Sequence, residues 1–220
     1  MDYKGLKIDW LHHACFRIKS EKSIVYTDPY KIINNYNDAD LILITHDHYD
    51  HLDYNSIKKL INEKTSIVAP KDCSKQLEDI KNEKIFVSPN EVKIIKDITI
   101  KTVNSYNINK FANNGKAFHP KEKGNLGYIF IIDNVRIYIA GDTDLIPEMK
   151  EYKMDIALLP VSGIYVMDAS EAANSALLMK PDIAIPMHYG SGIGTIKDAE
   201  RFKELVGKKI NVEILESIDK

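Results

Sequence analysis

The run Thr45-His46-Asp47-His48-Tyr49-Asp50-His51 places four potential metal ligands, His46, His48, Asp50 and His51, within six positions, and three of the chain's seven histidines lie in it. Imidazole nitrogen and carboxylate oxygen are donors that hold Zn²⁺, Mn²⁺ or Fe²⁺. In an extended segment His46 and His48, two apart, face the same way and can grip one ion. Asp50 and His51 continue into a turn and can face a second. Two cations about 3.5–4 Å apart need a bridging donor, and a carboxylate with its two oxygens suits that place. Asp142, in Gly141-Asp-Thr-Asp144, is the candidate; His188 can complete the second site and His119 the first. Water between two cations has its pKa lowered toward about 7, which gives a hydroxide nucleophile at neutral pH. Taken singly, Asp142 would be a turn residue and His188 a histidine at the core edge. Asp47 points away from its neighbours and reads as solvated or as a residue behind the ligands. Asp53 reads as a helix cap.

These residues need a frame, and most of them follow short apolar runs. Residues 41–45 read as a buried strand that ends at His46. A strand over 24–27 ends at Asp28, one over 135–140 at Asp142, and one over 183–186 just before His188. Strand ends that share one edge bring such residues together in a cleft built from loops. Residues 6–10, 15–18 and 24–27 form a meander, with a hairpin loop at Ser20-Glu-Lys-Ser23. A helix is expected over 54–61 behind Asp53, and a polar helix over 73–80 lies between strands at 66–69 and 85–87. Residues 94–95 and 98–103 make a hairpin about Lys96-Asp97. Residues 107–127 read as a long polar loop of the kind that carries function in compact domains. The hairpin 128–132/135–140 turns at Asp133-Asn134, and a short helix opens after Asp144. A strand over 156–160 precedes a helix over 172–179, which has capping-box form at Asp168-Ala-Ser-Glu171 and stops at Pro181. A helix over 197–206 ends at Gly207, and a last strand covers 212–215. Both halves mix strands with helices, which favours an α/β arrangement of sheet layers covered by helices.

A chain of 220 residues can bury a substantial core in a single domain, and 1–220 is read as one. Lys+Arg number 30 against 32 Asp+Glu, a net charge of −2, so no general attraction to nucleic acid or to an anionic membrane is expected. Cys15 and Cys73 form no CxxC and read as free thiols. There is no apolar leader, and no apolar run approaches the length of a membrane span, so a cytoplasmic setting is expected.

The ligand run resembles the HxHxDH signature of the metallo-β-lactamase superfamily at His46, His48, Asp50 and His51. The order that follows, a lone His, a strand-end Asp and a late His, is similar too. Trp10-Leu-His-His-Ala-Cys-Phe16 resembles the W-L-G-H-A-x-F opening of a Zn-dependent hydrolase branch, related to ascorbate-6-phosphate lactonases and N-acyl-phosphatidylethanolamine phospholipase D. Tyr138-Ile-Ala-Gly-Asp-Thr-Asp144, Asp155-Ile-Ala-Leu-Leu-Pro160 and Ile185-Pro-Met-His-Tyr189 fit that branch as well. The resemblance runs from about residue 6 to 206. It implies a four-layer αββα sandwich with two divalent metal ions, zinc first and Mn or Fe as alternatives. Metal one would take His46, His48 and a third His; metal two would take Asp50, His51 and His188, with Asp142 bridging. His13 matches the opening-motif His, which in this branch lies near the site and is not a standard ligand. The chain departs from the pattern twice. His12 stands where the family has Gly, and His119 lies in Ala117-Phe-His-Pro-Lys121, within a polar loop and not the usual strand-and-turn setting.

The expected activity is that of a metal-dependent hydrolase in which a metal-bound hydroxide attacks an ester-type bond, either a lactone or carboxylic ester or a phosphodiester. Asp50 is expected to orient the nucleophile, and Tyr165 and the loop with Lys121 and Asn125 to contact a small-molecule substrate. Asp28 and His13 stand as supporting residues. Three alternatives use the same scaffold. A nuclease would carry a basic arm or inserted domain, and a di-iron redox protein a flavin domain, neither of which fits here. A non-catalytic metal-binding module would not need so full a ligand set. Homo-oligomerisation and the identity of the substrate are left open.

Overall fold

Each half of the chain folds as an antiparallel meander that runs on into parallel strands, in a computed structural model that describes all 220 residues, Met1–Lys220. In the first half β1 (Asp2–Tyr3), β2 (Leu6–His12), β3 (Cys15–Lys19) and β4 (Ile24–Thr27) pair antiparallel. β5 (Ala39–Leu43), β6 (Ile61–Pro70) and β7 (Glu83–Val87) then add in parallel. The second half repeats the plan. β8 (Val92–Ile95), β9 (Ile98–Asn104), β10 (Leu126–Ile132) and β11 (Val135–Ile139) are antiparallel, and β12 (Ile156–Pro160), β13 (Ile183–Met187) and β14 (Asn211–Val212) continue in parallel. The β10–β11 turn uses Asp133 and Asn134, both at positive φ, as a two-residue hairpin with right-handed twist requires.

Helix α1 (Tyr54–Leu60) covers the first sheet, while α2 (Ala169–Met179) and α3 (Ile196–Val206) pack on the second against β12 and β13. The result is the expected αββα sandwich. The end of β5 shows why the run Leu41–Ile44 is apolar at every position. Leu41 and Leu43 point into the large cluster between the sheets, and Ile42 and Ile44 into the smaller one beneath α1. A strand buried on both faces has no polar side to show. Cys15 and Cys73 belong to that smaller cluster and are unpaired. No helix is long and apolar enough to cross a membrane.

Three expected elements come out differently. Residues 73–80 are not an α-helix; a 3-10 turn at Lys71–Cys73 leads into further turns. The backbone there closes i→i−3 bonds at Ser74, Glu78 and Ile80 with a single i→i−4 bond at Leu77, so no α-helical ladder propagates, and the Lys84 ammonium donates to the carbonyls of Leu77 and Ile80. The short helix after Asp144 is a 3-10 turn at Pro147–Glu151 that opens on proline. The last strand is only Asn211–Val212. Beyond it the chain crosses over to the first sheet, where Ser217 bridges to Trp10 and Asp219 accepts from the Ile33 and Asn34 amides.

Candidate metal centre

β2, β4, β5, β11, β12 and β13 run in one sense within their sheets, and their C-terminal ends deliver His13, Asp28, the 45–51 run, Asp142, Ser162 and His188 in that order. His119 comes from the long loop. It is placed there because its N–H donates to Asn107 Oδ1 at 2.8 Å and its carbonyl accepts from the Asn107 amide at 2.8 Å. Gly141 sets the approach of Asp142. Its φ is +63°, and a Cβ there would lie 2.7 Å from the Leu126 carbonyl oxygen, so only glycine fits.

These residues form two groups, His46–His48–His119–Asp142 and His13–Asp50–His51–His188, in each of which the candidate donor atoms all lie within 4.8 Å of one another. Asp142 belongs to both in contact terms. Its Oδ2 is 3.4 Å from His119 Nε2, 3.9 Å from His46 Nε2 and 3.2 Å from His188 Nε2, and its Oδ1 is 3.1 Å from His51 Nε2. His48 offers its other nitrogen, Nδ1, at 3.3 Å from His119 Nε2.

Behind this front rank, partners fix which nitrogen faces forward. Asp28 is fully buried and accepts from Thr45 N at 2.7 Å, from Thr45 Oγ1 at 2.8 Å and from His51 Nδ1 at 2.8 Å. With its own proton given to Asp28, Thr45 Oγ1 accepts from His46 Nδ1 at 2.9 Å. His119 Nδ1 donates to Asn107 Oδ1 at 3.0 Å, and His188 Nδ1 is 3.0 Å from Ser162 Oγ. Donation from Nδ1 leaves Nε2 of His46 and of His119 as a lone pair aimed at the centre, and Nε2 of His51 and of His188 faces the centre as well. Sequence reading missed Asn107, Ser162 and Asp144. The Asp144 carboxylate takes the amides of Ile108 and Asn109 and the Asn107 side chain, and so holds the loop that carries His119. The second Asp of Gly141-Asp-Thr-Asp144 was the available signal.

The residues fit a pair of divalent cations on two observations. His46 Nε2, His51 Nε2, His188 Nε2 and Asp142 Oδ1 are buried without a hydrogen-bond partner, which a folded core does not tolerate cheaply. The facing donors are also spaced as ligands of one ion are, since two nitrogens at 2.0–2.1 Å on a tetrahedral cation lie about 3.3 Å apart. Burial and then neighbouring imidazoles push His46 well below the usual histidine range and His119 down to about 4, so both are neutral donors at neutral pH. His51 is the exception. Burial lowers it, but Asp142 and Asp28 on either side outweigh burial and raise it well above that range. Burial raises Asp142 as well, and His188 and His51 more than reverse this, so its carboxyl lies well below the ordinary value.

A family model for the beta-lactamase superfamily domain matches residues 7–188. The chain belongs to the beta-lactamase superfamily. Within it, a UPF0173 metal-dependent hydrolase from Pyrococcus horikoshii is 33% identical over 96% of each chain. One from Thermoplasma acidophilum is 34% identical over 99% of this chain and 98% of its own. Among solved structures, a Parabacteroides distasonis protein described as a metal-dependent hydrolase superposes with a TM-score of 0.80 at 32% identity, covering 96% of this chain and 93% of that one.

In this superfamily member the centre floors an open cleft of about 410 Å³. His48, Asp50, His119 and Asp142 line its base, and Tyr49, Phe118, Tyr165 and Ile193 its sides. Tyr165 is where the sequence placed it, with Phe118 edge-on to its ring at 4.7 Å. Lys121 and Asn125 are not in the cleft. Lys121 turns out to Glu148 at 2.8 Å, an ion pair that water solvates, and Asn125 is buried beneath the loop. Asp47 pairs with Lys123 at 2.7 Å on the cleft rim, and Asp53 caps α1. His12, the departure from the family pattern, contacts Ser191 Oγ at 2.8 Å. A larger cavity of about 560 Å³ near Arg136 lies at the opposite end of β11 and holds none of these residues.

Proposed function

We propose that this protein hydrolyses an ester-type bond in a small molecule, a lactone or carboxylic ester in preference to a phosphodiester, with two divalent ions as cofactor and zinc as the metal. In this reading His46, His48 and His119 hold one ion, Asp50, His51 and His188 the other, and Asp142 lies between them. The observation that supports it most is Asp142 itself, one buried carboxylate with histidine nitrogens of both groups within 3.1–3.9 Å of its two oxygens. The preference for an uncharged ester is supported by the cleft, whose lining includes no lysine or arginine, and whose rim cation, Lys123, is paired with Asp47. The two buried, unpaired cysteines fit a reducing, cytoplasmic setting.

Bound divalent ions supply Lewis-acid polarisation of the electrophile and a lowered pKa for attacking water. The remaining steps belong to side chains. Burial raises the Asp50 carboxyl, but His13 and His51 bring it down to about 2, so it is ionised and accepts a hydrogen bond that orients the attacking water. Asp28 and Thr45 hold His51 and His46 in the donor tautomer. Tyr165 lines the cleft wall, where it positions the substrate. The test is a panel of lactones, carboxylic esters and bis(p-nitrophenyl) phosphate, with and without chelator. Turnover of the neutral esters that chelator abolishes and added metal restores is expected; no metal-dependent turnover of any ester would overturn the reading.

A further inference from the structure

Every imidazole of the centre but two has its rear nitrogen held: His46 by Thr45, His51 by Asp28, His119 by Asn107 and His188 by Ser162. Of the two, His48 is half-open to the cleft. His13 is different. It is 1% exposed, and neither Nδ1 nor Nε2 has a hydrogen-bond partner. Its one carboxylate neighbour is Asp50, whose Oδ2 lies 3.3 Å from Nε2 in poor hydrogen-bond geometry. A buried polar group left in that condition is costly to the fold.

The backbone is bent to put it there. His13 has φ +52° and His188 φ +60°, in the left-handed region that is costly to side chains larger than glycine. The two are joined, because the His13 carbonyl accepts from the His188 amide at 3.1 Å and from Trp10 Nε1 at 2.9 Å. The β2–β3 turn of one sheet is thereby fastened to the end of β13 in the other. The His13 ring is packed 4.0 Å from that of His188 and 5.5 Å from that of His51, so it has no room to turn outward.

We propose that His13 is a sixth imidazole ligand of the dinuclear centre, binding the second cation together with Asp50, His51 and His188. The proposal rests on the metal-binding part of the reading above. It makes the second cation the more completely enclosed by protein donors and leaves the first, beside the cleft, the more accessible to substrate. A strained, unpartnered histidine then has a reason to be where it is.

The experiment is carried out on the whole protein, stripped with chelator and titrated with Zn²⁺. Long-range ¹H–¹⁵N correlation spectra of the histidine rings count coordinated nitrogens in the wild type. Six of the seven histidines are expected to show a metal-bound nitrogen, His12 being the one outside. His13→Phe, which keeps an aromatic ring in the pocket, is expected to lose one such signal and to weaken one of two zinc equivalents at least about 10-fold. Five bound histidines in the fully loaded wild type, or two equivalents of unchanged affinity in His13→Phe, would overturn the proposal and leave His13 as a packing neighbour of Asp50. The wild-type count stands even where the variant fails to fold. Binding of no zinc at all would defeat the dinuclear reading along with it, so the two failures are distinct.

Discussion

Asp28 contributes no atom to the front of the centre, yet it organises half of it, through His51 directly and His46 by way of Thr45. Asp28→Ala strips three donors of their acceptor inside the core. It is expected to weaken metal binding about 10–100-fold and to destabilise the metal-free fold by about 3 kcal/mol, read by metal titration and urea denaturation respectively. A second prediction concerns protons. In the metal-free protein His51 carries a proton between Asp28 and Asp142, and that proton must leave Nε2 before a metal can bind. Because the His51 pKa is raised, the neutral form gains ground as pH rises, so metal affinity should rise with pH and uptake should release protons. Calorimetry in buffers of differing ionisation enthalpy measures this; uptake with no proton release would contradict it. The front-rank residues could be read from sequence because His46, His48, Asp50 and His51 are adjacent in the chain and Asp142 and His188 end apolar strands. Asn107, Asp144 and Ser162 could not. Their partners are 12 to 37 residues away, and only the fold brings them close.

At the scale of elements, the centre depends on strand ends and on the turns that follow them. Gly141→Ala would force a Cβ against the Leu126 carbonyl and into a left-handed backbone, so a loss of about 2 kcal/mol or more in stability is expected, together with weakened metal binding. Asp168→Ala is the contrasting case. It removes the capping box of α2, with Ser170 and Glu171 amides left unpaired, and should cost about 1 kcal/mol while leaving metal affinity unchanged. Helix α2 was legible because its cap is local, four residues that name their own partners. Residues 73–80 have helical spacing too, with Cys73, Leu77 and Ile80 buried, but Glu78 and Ile80 close tighter i→i−3 bonds in place of a continuous i→i−4 ladder. The loop was expected over 107–127 from its length and composition and ends where β10 begins at Leu126, while its inward turn at His119 depends on Asp144, a residue of another strand end.

Across the whole molecule, the first sheet supplies His13, Asp28 and the 45–51 run, and the second supplies Asp142 and His188. Cations at their junction therefore tie the two halves together, and binding to the folded state alone stabilises it. At metal concentrations 100-fold above Kd the gain is about 2.7 kcal/mol, so chelation should lower Tm by roughly 5–10 °C and re-addition of metal should restore it. The likeness of the two halves was visible in the sequence as strands mixed with helices in both, though not their shared plan of meander and parallel strands. The crossing of the C-terminal segment back to the first sheet was not, since a single Ser217–Trp10 bridge and the Asp219 carboxylate leave no periodic trace. The measurement that bears most directly on the centre is zinc titration of chelator-stripped wild type and Asp142→Ala, with ester turnover followed in the same samples. Two equivalents with metal-dependent turnover are expected in the wild type, and loss of the paired site with at least about 10²-fold lower turnover in the variant. Two equivalents bound unchanged by Asp142→Ala, or turnover that survives chelation, would contradict the account.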